Sequence, residues 1–272
     1  MLDGAFDRAL DGAPGRVSVF LGRPGAPPAY LRAAHERHYA ASMMKVAVLV
    51  ALYRAADAGT IDLDAPVPVH NDFASAAGSR YACDPGYDSE HDVWDRLGDT
   101  APARWLARRM IVRSGNLATN LLLALVGLPA VGEAWRIAGA TGSVTGRGIE
   151  DRAARAAGID NTVTAADVAR LLGGIATGTV AAGPSCAEML DVLAAQEHRV
   201  DLALGVPGGV RVAHKNGWVT GVRHSAGVVL PGDAPPYVLA VCTTGAPGDE
   251  PARRLIARLS RIAWDARREL PA

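Results

Sequence analysis

Apolar residues fall into three regimes along the chain. At the start, Leu2 to Leu10 carries the spacing of a short amphipathic helix, and Arg16-Val17-Ser18-Val19-Phe20-Leu21 is a β-rich run ended by the turn formers Gly22-Arg23-Pro24-Gly25. The middle is helical. Ala41 to Ala58 is nearly apolar all round, holds neither Gly nor Pro and stops at Gly59, which predicts a central helix buried on most sides. Helical spacing continues over Ala101 to Val112, Leu117 to Leu125, Gly132 to Ala138, Thr164 to Ile175 and Ser185 to Ala195. Thr164, with Asp167 three residues on, reads as an N-cap. Strand character returns late, in Val210 to His214, Ser225 to Leu230 and Tyr237 to Thr243, before a long terminal helix over Glu250 to Arg268.

Strands at both ends of a helical middle predict an α/β (α+β) fold: one antiparallel sheet flanked by N- and C-terminal helices, with an all-helical lobe inserted. The boundaries place residues 1–38 and 199–272 in the sheet lobe and 39–198 in the helical lobe, with a ligand cleft between them. The Pro/Gly/Asp-rich stretch from Asn71 to Pro102 reads as an irregular wall or lid. Its Tyr81, Tyr87 and Trp94 are candidates for a substrate mouth, although such aromatics more often anchor a long loop.

Composition narrows the function classes. In 272 residues, 28 basic and 28 acidic side chains cancel, so no basic field points to nucleic acid or an anionic membrane, and the C-terminal arginines read as a solvated helix face. Val46 to Tyr53 and Leu117 to Val131 are the longest apolar stretches and fall short of the roughly 20 residues that span a bilayer. Cys83, Cys186 and Cys242 are odd in number and unpaired in sequence, which excludes a C-x-x-C zinc site and a disulfide framework. No metal and no cofactor is expected, and a monomer with a small-molecule substrate is. Acids near Met1 where a secretion signal needs basic residues suggest a cytoplasmic protein, unless a leader was removed.

The unusual feature is the cations. Twenty-six are Arg and only two are Lys, Lys45 and Lys215. A guanidinium cannot give up its proton in a protein, whereas a buried ammonium can. Ser42-Met43-Met44-Lys45 opens the buried helix and puts a hydroxyl and an amine on one helix face, expected within hydrogen-bond reach, so a neutral Lys45 can take the Ser42 proton. Of ten serines, Ser42 alone has a lysine one turn ahead on an apolar helix. Ser114-Gly115-Asn116 forms a tight polar corner between two apolar helices, a place where a helix stop and a cap would suffice on their own. Lys215-Asn216-Gly217-Trp218 ends a strand, and Gly217 admits close backbone approach. Each string alone is weak.

Together, the three resemble the S-x-x-K, S-D-N and K-T-G set of the class A β-lactamases and the related penicillin-binding serine hydrolases. Order and spacing fit, with 72 residues from Ser42 to Ser114 and 101 from Ser114 to Lys215, and the resemblance covers about the whole chain. It implies a two-lobe fold and acyl-serine catalysis with Ser42, Lys45, Ser114 and Lys215 as catalytic residues. Asn116, Asn216, Gly217 and Trp218 are then substrate-binding residues, and the backbone N–H groups of Ser42 and Trp218 are the expected oxyanion donors. Gly115 stands where the family has Asp, and Asn216 where it has Thr. With one carboxylate-binding hydroxyl thus missing, Arg223 or His224, beyond a short turn, is expected to supply a donor.

The loop that would carry the family's E-x-x-L-N pattern reads Arg147 to Thr164 without a clean match. Glu150 or Asp151 is therefore the possible deacylation base, with ion pairing to Arg147, Arg152 and Arg155 as the plainer role, and slow deacylation is expected. The leading function is a β-lactamase-type hydrolase. Others are a penicillin-binding sensor, an intracellular acyl-transfer or tailoring enzyme with little deacylation, and a D-alanyl peptidase.

Overall fold

Val222 to Leu230 and Tyr237 to Thr244 are buried along nearly their whole length, so the sheet that holds them is covered on both faces rather than solvated on one. A computed structural model describes residues 2–13, 15–245 and 248–272. Five antiparallel strands form the sheet: β1 (Arg16–Gly22), β2 (Pro28–Arg32), β3 (Arg211–Val219), β4 (Val222–Leu230) and β5 (Tyr237–Thr244), in the spatial order β3-β4-β5-β1-β2. The N-terminal β1 lies beside the C-terminal β5, in register from Arg16 opposite Thr244 to Gly22 opposite Val238. The edge strand β2 follows a bulge at Leu21/Gly22 and opens on Pro28. It lacks a sequence signal because Pro at a strand start reads as a turn.

Nine helices occur among the described residues: α1 (Leu2–Leu10), α2 (Lys45–Asp57), α3 (Ala103–Val112), α4 (Asn116–Val126), α5 (Leu128–Ile137), α6 (Arg152–Ala156), α7 (Ala165–Thr177), α8 (Gly183–Ala194) and α9 (Asp249–Asp265). The amphipathic α1 and α9 cover one face of the sheet, where Phe6, Leu10, Val19, Leu239 and Ile256 share a core. The other face, through Ala213, Ala226, Val228 and Ala240, joins a larger core that runs without a break into α2, α4 and α7. No single helix among the described residues is long and apolar enough to cross a membrane; α4 and α5 together are, but they bend by 90° at their junction and bury Leu117 to Leu123 in the core.

Ala41 to Ala58 is not one helix. Ala41 takes a left-handed φ of 44° and Ala41–Met44 forms a 3-10 turn before α2 begins at Lys45. The tighter turn leaves Ser42 half-buried at the helix mouth. His38–Tyr39 pairs with Asn161–Val163, which pairs in turn with Val144–Thr145, so a three-stranded ribbon braces this turn.

The expected cap forms: Thr164 Oγ1 accepts the Asp167 N–H at 3.1 Å at the start of α7. Thr164→Ala should cost about 1 kcal/mol in urea unfolding, and Thr164→Ser should retain most of it.

Candidate active site

The three sequence motifs come from different elements, yet their side chains meet at one hydroxyl. Ser114 Oγ lies 3.1 Å from Ser42 Oγ, accepts from Lys215 Nζ at 2.9 Å and more distantly from Lys45 Nζ at 3.4 Å. Lys45 Nζ also donates to Ser114 O at 2.5 Å and to Asn116 Oδ1 at 2.9 Å. No hydrogen bond joins Lys45 to Ser42 among the described residues, so the expected direct pair is replaced by a contact through Ser114. A left-handed φ of 60° at Ser114 turns its carbonyl and its hydroxyl toward the same amine.

Both amines are fully buried. Burial pushes the Lys45 pKa down to about 8, against the opposing pull of the Asp88 charge. Lys215 is held well below its ordinary value by burial and by repulsion from Lys45. Burial thus favours the neutral form of each amine, and the Lys45 charge adds to that at Lys215.

Asn116 opens α4, donating through Nδ2 to Tyr87 O at 3.0 Å. The Asp88 carboxylate accepts from the backbone N–H of Asn116 and Leu117, each at 2.9 Å, and from Trp94 Nε1 at 3.0 Å. It thereby supplies a carboxylate at the start of α4, where Gly115 offers none. A Cβ at position 115 would meet Glu90 Cβ at 3.0 Å, so a larger residue there would require the Glu90 side chain to shift. Gly217 is needed for a second close approach: a Cβ there would lie 3.0 Å from Ser42 N, and its absence lets β3 pack against the serine turn.

Ser42, Ser114 and Asn116 line a cavity of about 430 Å³ whose walls also include Tyr39, Tyr87, Glu150 and Trp218. Of the three aromatic candidates for the mouth, only Tyr87 lines the cavity, and the other two take the anchoring role. The Trp94 indole is tied to Asp88, and Tyr81 packs against the core.

Three of the sequence-derived binding residues are turned away. Asn216 Nδ2 donates to His198 O at 2.6 Å and its Oδ1 accepts from Ser225 Oγ at 2.7 Å. Arg223 forms a buried ion pair with Asp201 at 2.7 Å. His224 Nδ1 accepts from Thr243 N–H at 3.1 Å, leaving its Nε2–H for Tyr39 O at 2.8 Å, and burial drives its pKa to about 4. The expectation that one side of β4 faces the cleft fails because both faces of that strand are covered.

The two acids in the 147–164 loop are separated by their surroundings. Asp151 is fully buried and caps α6 through Ala154 N–H at 3.0 Å while accepting from Ser75 Oγ at 2.7 Å and Ala76 N–H at 2.9 Å. It has no access to the cavity. Glu150 has a left-handed φ of 65°; its Oε2 accepts from Asp84 N–H at 2.9 Å and its Oε1 is buried without a partner. Burial raises its pKa. Three of the four non-glycine residues with left-handed backbone, among those described, are thus Ala41, Ser114 and Glu150, all in this site. Arg147 closes the loop by binding Asp160 at 2.8 Å, and Asn120 grips the Ile149 backbone through both ends of its amide, at 2.8 and 2.9 Å. Ion pairing of Glu150 or Asp151 with Arg147, Arg152 or Arg155 is not found among the described residues.

Whole-chain comparisons bear on the family and the fold. The family model described as the beta-lactamase enzyme family matches residues 2–267. The beta-lactamase from Sphaerobacter thermophilus DSM 20745 is similar with a TM-score of 0.82 and 26% identity, over 99% of this chain and 97% of that one. PBP-A matches with a TM-score of 0.83 and 21% identity over 98% and 97% of the two chains, and the ancestral class A beta-lactamase GNCA with 0.83 and 23% over 98% and 100%. The latter two likenesses bear on the fold alone. No curated protein sequence matches the chain significantly.

Arg223→Ala would strand the buried Asp201 carboxylate and should lower unfolding stability by about 3–5 kcal/mol, part of which Asp201→Ala in the same chain should restore. Glu150→Gln should instead stabilise the protein at pH 7. The folded state holds the Glu150 proton more tightly than the unfolded chain does, so wild-type stability falls as pH rises through the raised pKa. Denaturant midpoints should show the gain of Glu150→Gln shrinking as pH drops into the ordinary glutamate range.

Proposed function

Because the chain belongs to the beta-lactamase enzyme family, we propose that it is a serine hydrolase opening a β-lactam, or a related amide or ester, through an acyl-Ser42 intermediate. The observation that carries this reading is the convergence of Ser42, Lys45 and Lys215 on Ser114 Oγ at the base of one cavity. Ser42 Oγ attacks the amide carbonyl while its proton passes across the Ser114 hydroxyl to a neutral lysine amine. As the tetrahedral intermediate collapses, the C–N bond breaks, the leaving nitrogen takes the proton back by the same route, and an ester to Ser42 remains. The Ser42 turn and β3 at Trp218 lie close enough at Gly217 for two backbone N–H groups to share the developing oxyanion.

Deacylation requires a water beside the ester. Glu150 is the acid on the cavity wall; its Oε1 has no partner, and burial, by raising its pKa, makes the ionised carboxylate a stronger base to take a proton from water and return it to Ser42. This supports turnover over a sensor that remains acylated. A mutant of PBP-A, a relative in fold, forms an acyl-enzyme complex with penicillin G, which supports β-lactams as the first substrates to try.

Intact-protein mass followed over time after mixing with benzylpenicillin tests the reading. A one-to-one adduct should appear and decay in the wild type, be absent in Ser42→Ala, and persist in Glu150→Gln. Lys45→Arg keeps a cation but cannot accept a proton, and its acylation should slow by about 100-fold or more. Stoichiometric labelling of Ser42→Ala would overturn the assignment.

A further inference from the structure

The wall opposite Ser42 is built by the short helix α6, and its chemistry is unused by the steps above. Arg152 and Arg155, one turn apart on α6, both line the cavity and are both exposed. Neither makes an ion pair with a carboxylate among the described residues. That sets them apart from the other arginines around the site: Arg147 binds Asp160, Arg109 binds Glu90 and Asp92, Arg113 binds Glu197, and Arg223 binds Asp201. In a chain with equal numbers of acids and bases, acids were available to neutralise this wall and were placed elsewhere.

Arg155 is also held in place. Its guanidinium lies over the Tyr39 ring at 5.3 Å, and Arg147 lies over the same ring at 5.7 Å. Of the charged groups that face this part of the cavity, Glu150 is the single acid, and one of its oxygens is occupied by Asp84 N–H. Arg147 is neutralised by Asp160; Arg152 is near enough to Glu150 to favour its charge, with Asp84 beside them on the outer side, and Arg155 has no acid facing it in the cavity. The wall adjoins Glu150, to which the acyl-serine reading gives the deacylating water, and on that reading it meets the acyl half of a substrate rather than its leaving group.

Resting on the acyl-serine reading, we infer that Arg152 and Arg155 recognise a carboxylate carried on the acyl half of the substrate. Planar guanidinium donors match the two oxygens of a carboxylate, and the Tyr39 ring restricts Arg155 to a narrow range of orientations before binding. The substrate class is an amide or lactam whose acyl side chain is itself acidic, so that a penicillin-like ligand would enter as a dianion. This gives the site an anion contact that Asn216, Arg223 and His224 do not provide.

Two penicillins differing only by an α-carboxylate on the phenylacetyl side chain test the inference through the ratio of their rate constants for acylating Ser42. Wild type should prefer the dianion by about tenfold or more, and Arg152→Gln/Arg155→Gln should bring the ratio close to one. Arg258→Gln/Arg261→Gln on α9 makes the same change in net charge far from the cavity and should keep the preference. Equal rates in wild type, or a preference that survives in the α6 variant, would overturn the assignment, while an adduct with the neutral-side-chain penicillin would leave the acyl-serine reading intact. A second measurement needs no acylation: phenylmalonate and phenylacetate are titrated by calorimetry into wild type and the α6 variant. Phenylmalonate binding that is tighter than phenylacetate binding and lost in the variant supports the contact, and indistinguishable binding of the two acids refutes it.

Discussion

Two lysine amines are buried within reach of one serine hydroxyl, and most of the architecture around the cleft exists to make that tolerable. An ammonium removed from water is costly, and two side by side are costlier. The protein answers with acceptors fixed by backbone: Ser114 O and Asn116 Oδ1 for Lys45, Asn216 O for Lys215. The Asp88 charge lies close enough to oppose the loss of the Lys45 proton. Each acceptor depends on a chain reversal. Ser114 needs its left-handed φ, α4 needs the Asp88 cap, and β3 needs a residue without a side chain at Gly217. What burial leaves is two amines whose protons are held less tightly than a lysine's in water.

Much of the fold was legible because it follows from local pattern. The buried central helix, the Thr164 cap and the three late strands are set by hydrophobic period, a short polar residue and β-branched runs, and they form close to the predicted places. Readings failed where the decisive partner lies far away in sequence. Position 41 breaks the helix through a backbone angle with no signature in an alanine. Arg223 was expected in the cleft on the assumption that one face of its strand meets the ligand, but that strand is covered twice and Asp201 claims the guanidinium.

The site divides along the same line. Motif spacing brought Ser42, Lys45, Ser114 and Lys215 into view, and the structure gathers them. The wall residues were less visible: Tyr39 belongs to a two-residue strand, Asp88 to an irregular stretch, and Arg152 and Arg155 to a five-residue helix. Glu150 and Asp151 were indistinguishable as neighbours in sequence. Their separation into an acid on the cavity wall and a buried cap arises from the left-handed turn at Glu150, which reverses the chain between them.

The pairing of β1 with β5 bears on the order in which the polypeptide is made. Val19 sits opposite Val241, so the first strand leaves the ribosome long before its neighbour exists. Until Tyr237–Thr244 has been synthesised, the sheet is divided, and the apolar side chains that α7 and α2 would bury against it lack one of their surfaces. Such distant pairing slows folding and prolongs the exposure of sticky intermediates. A nascent chain halted after the helical region would display Ser42 and Lys45 but not Lys215, so the cluster around Ser114 assembles only once the late strands have been made.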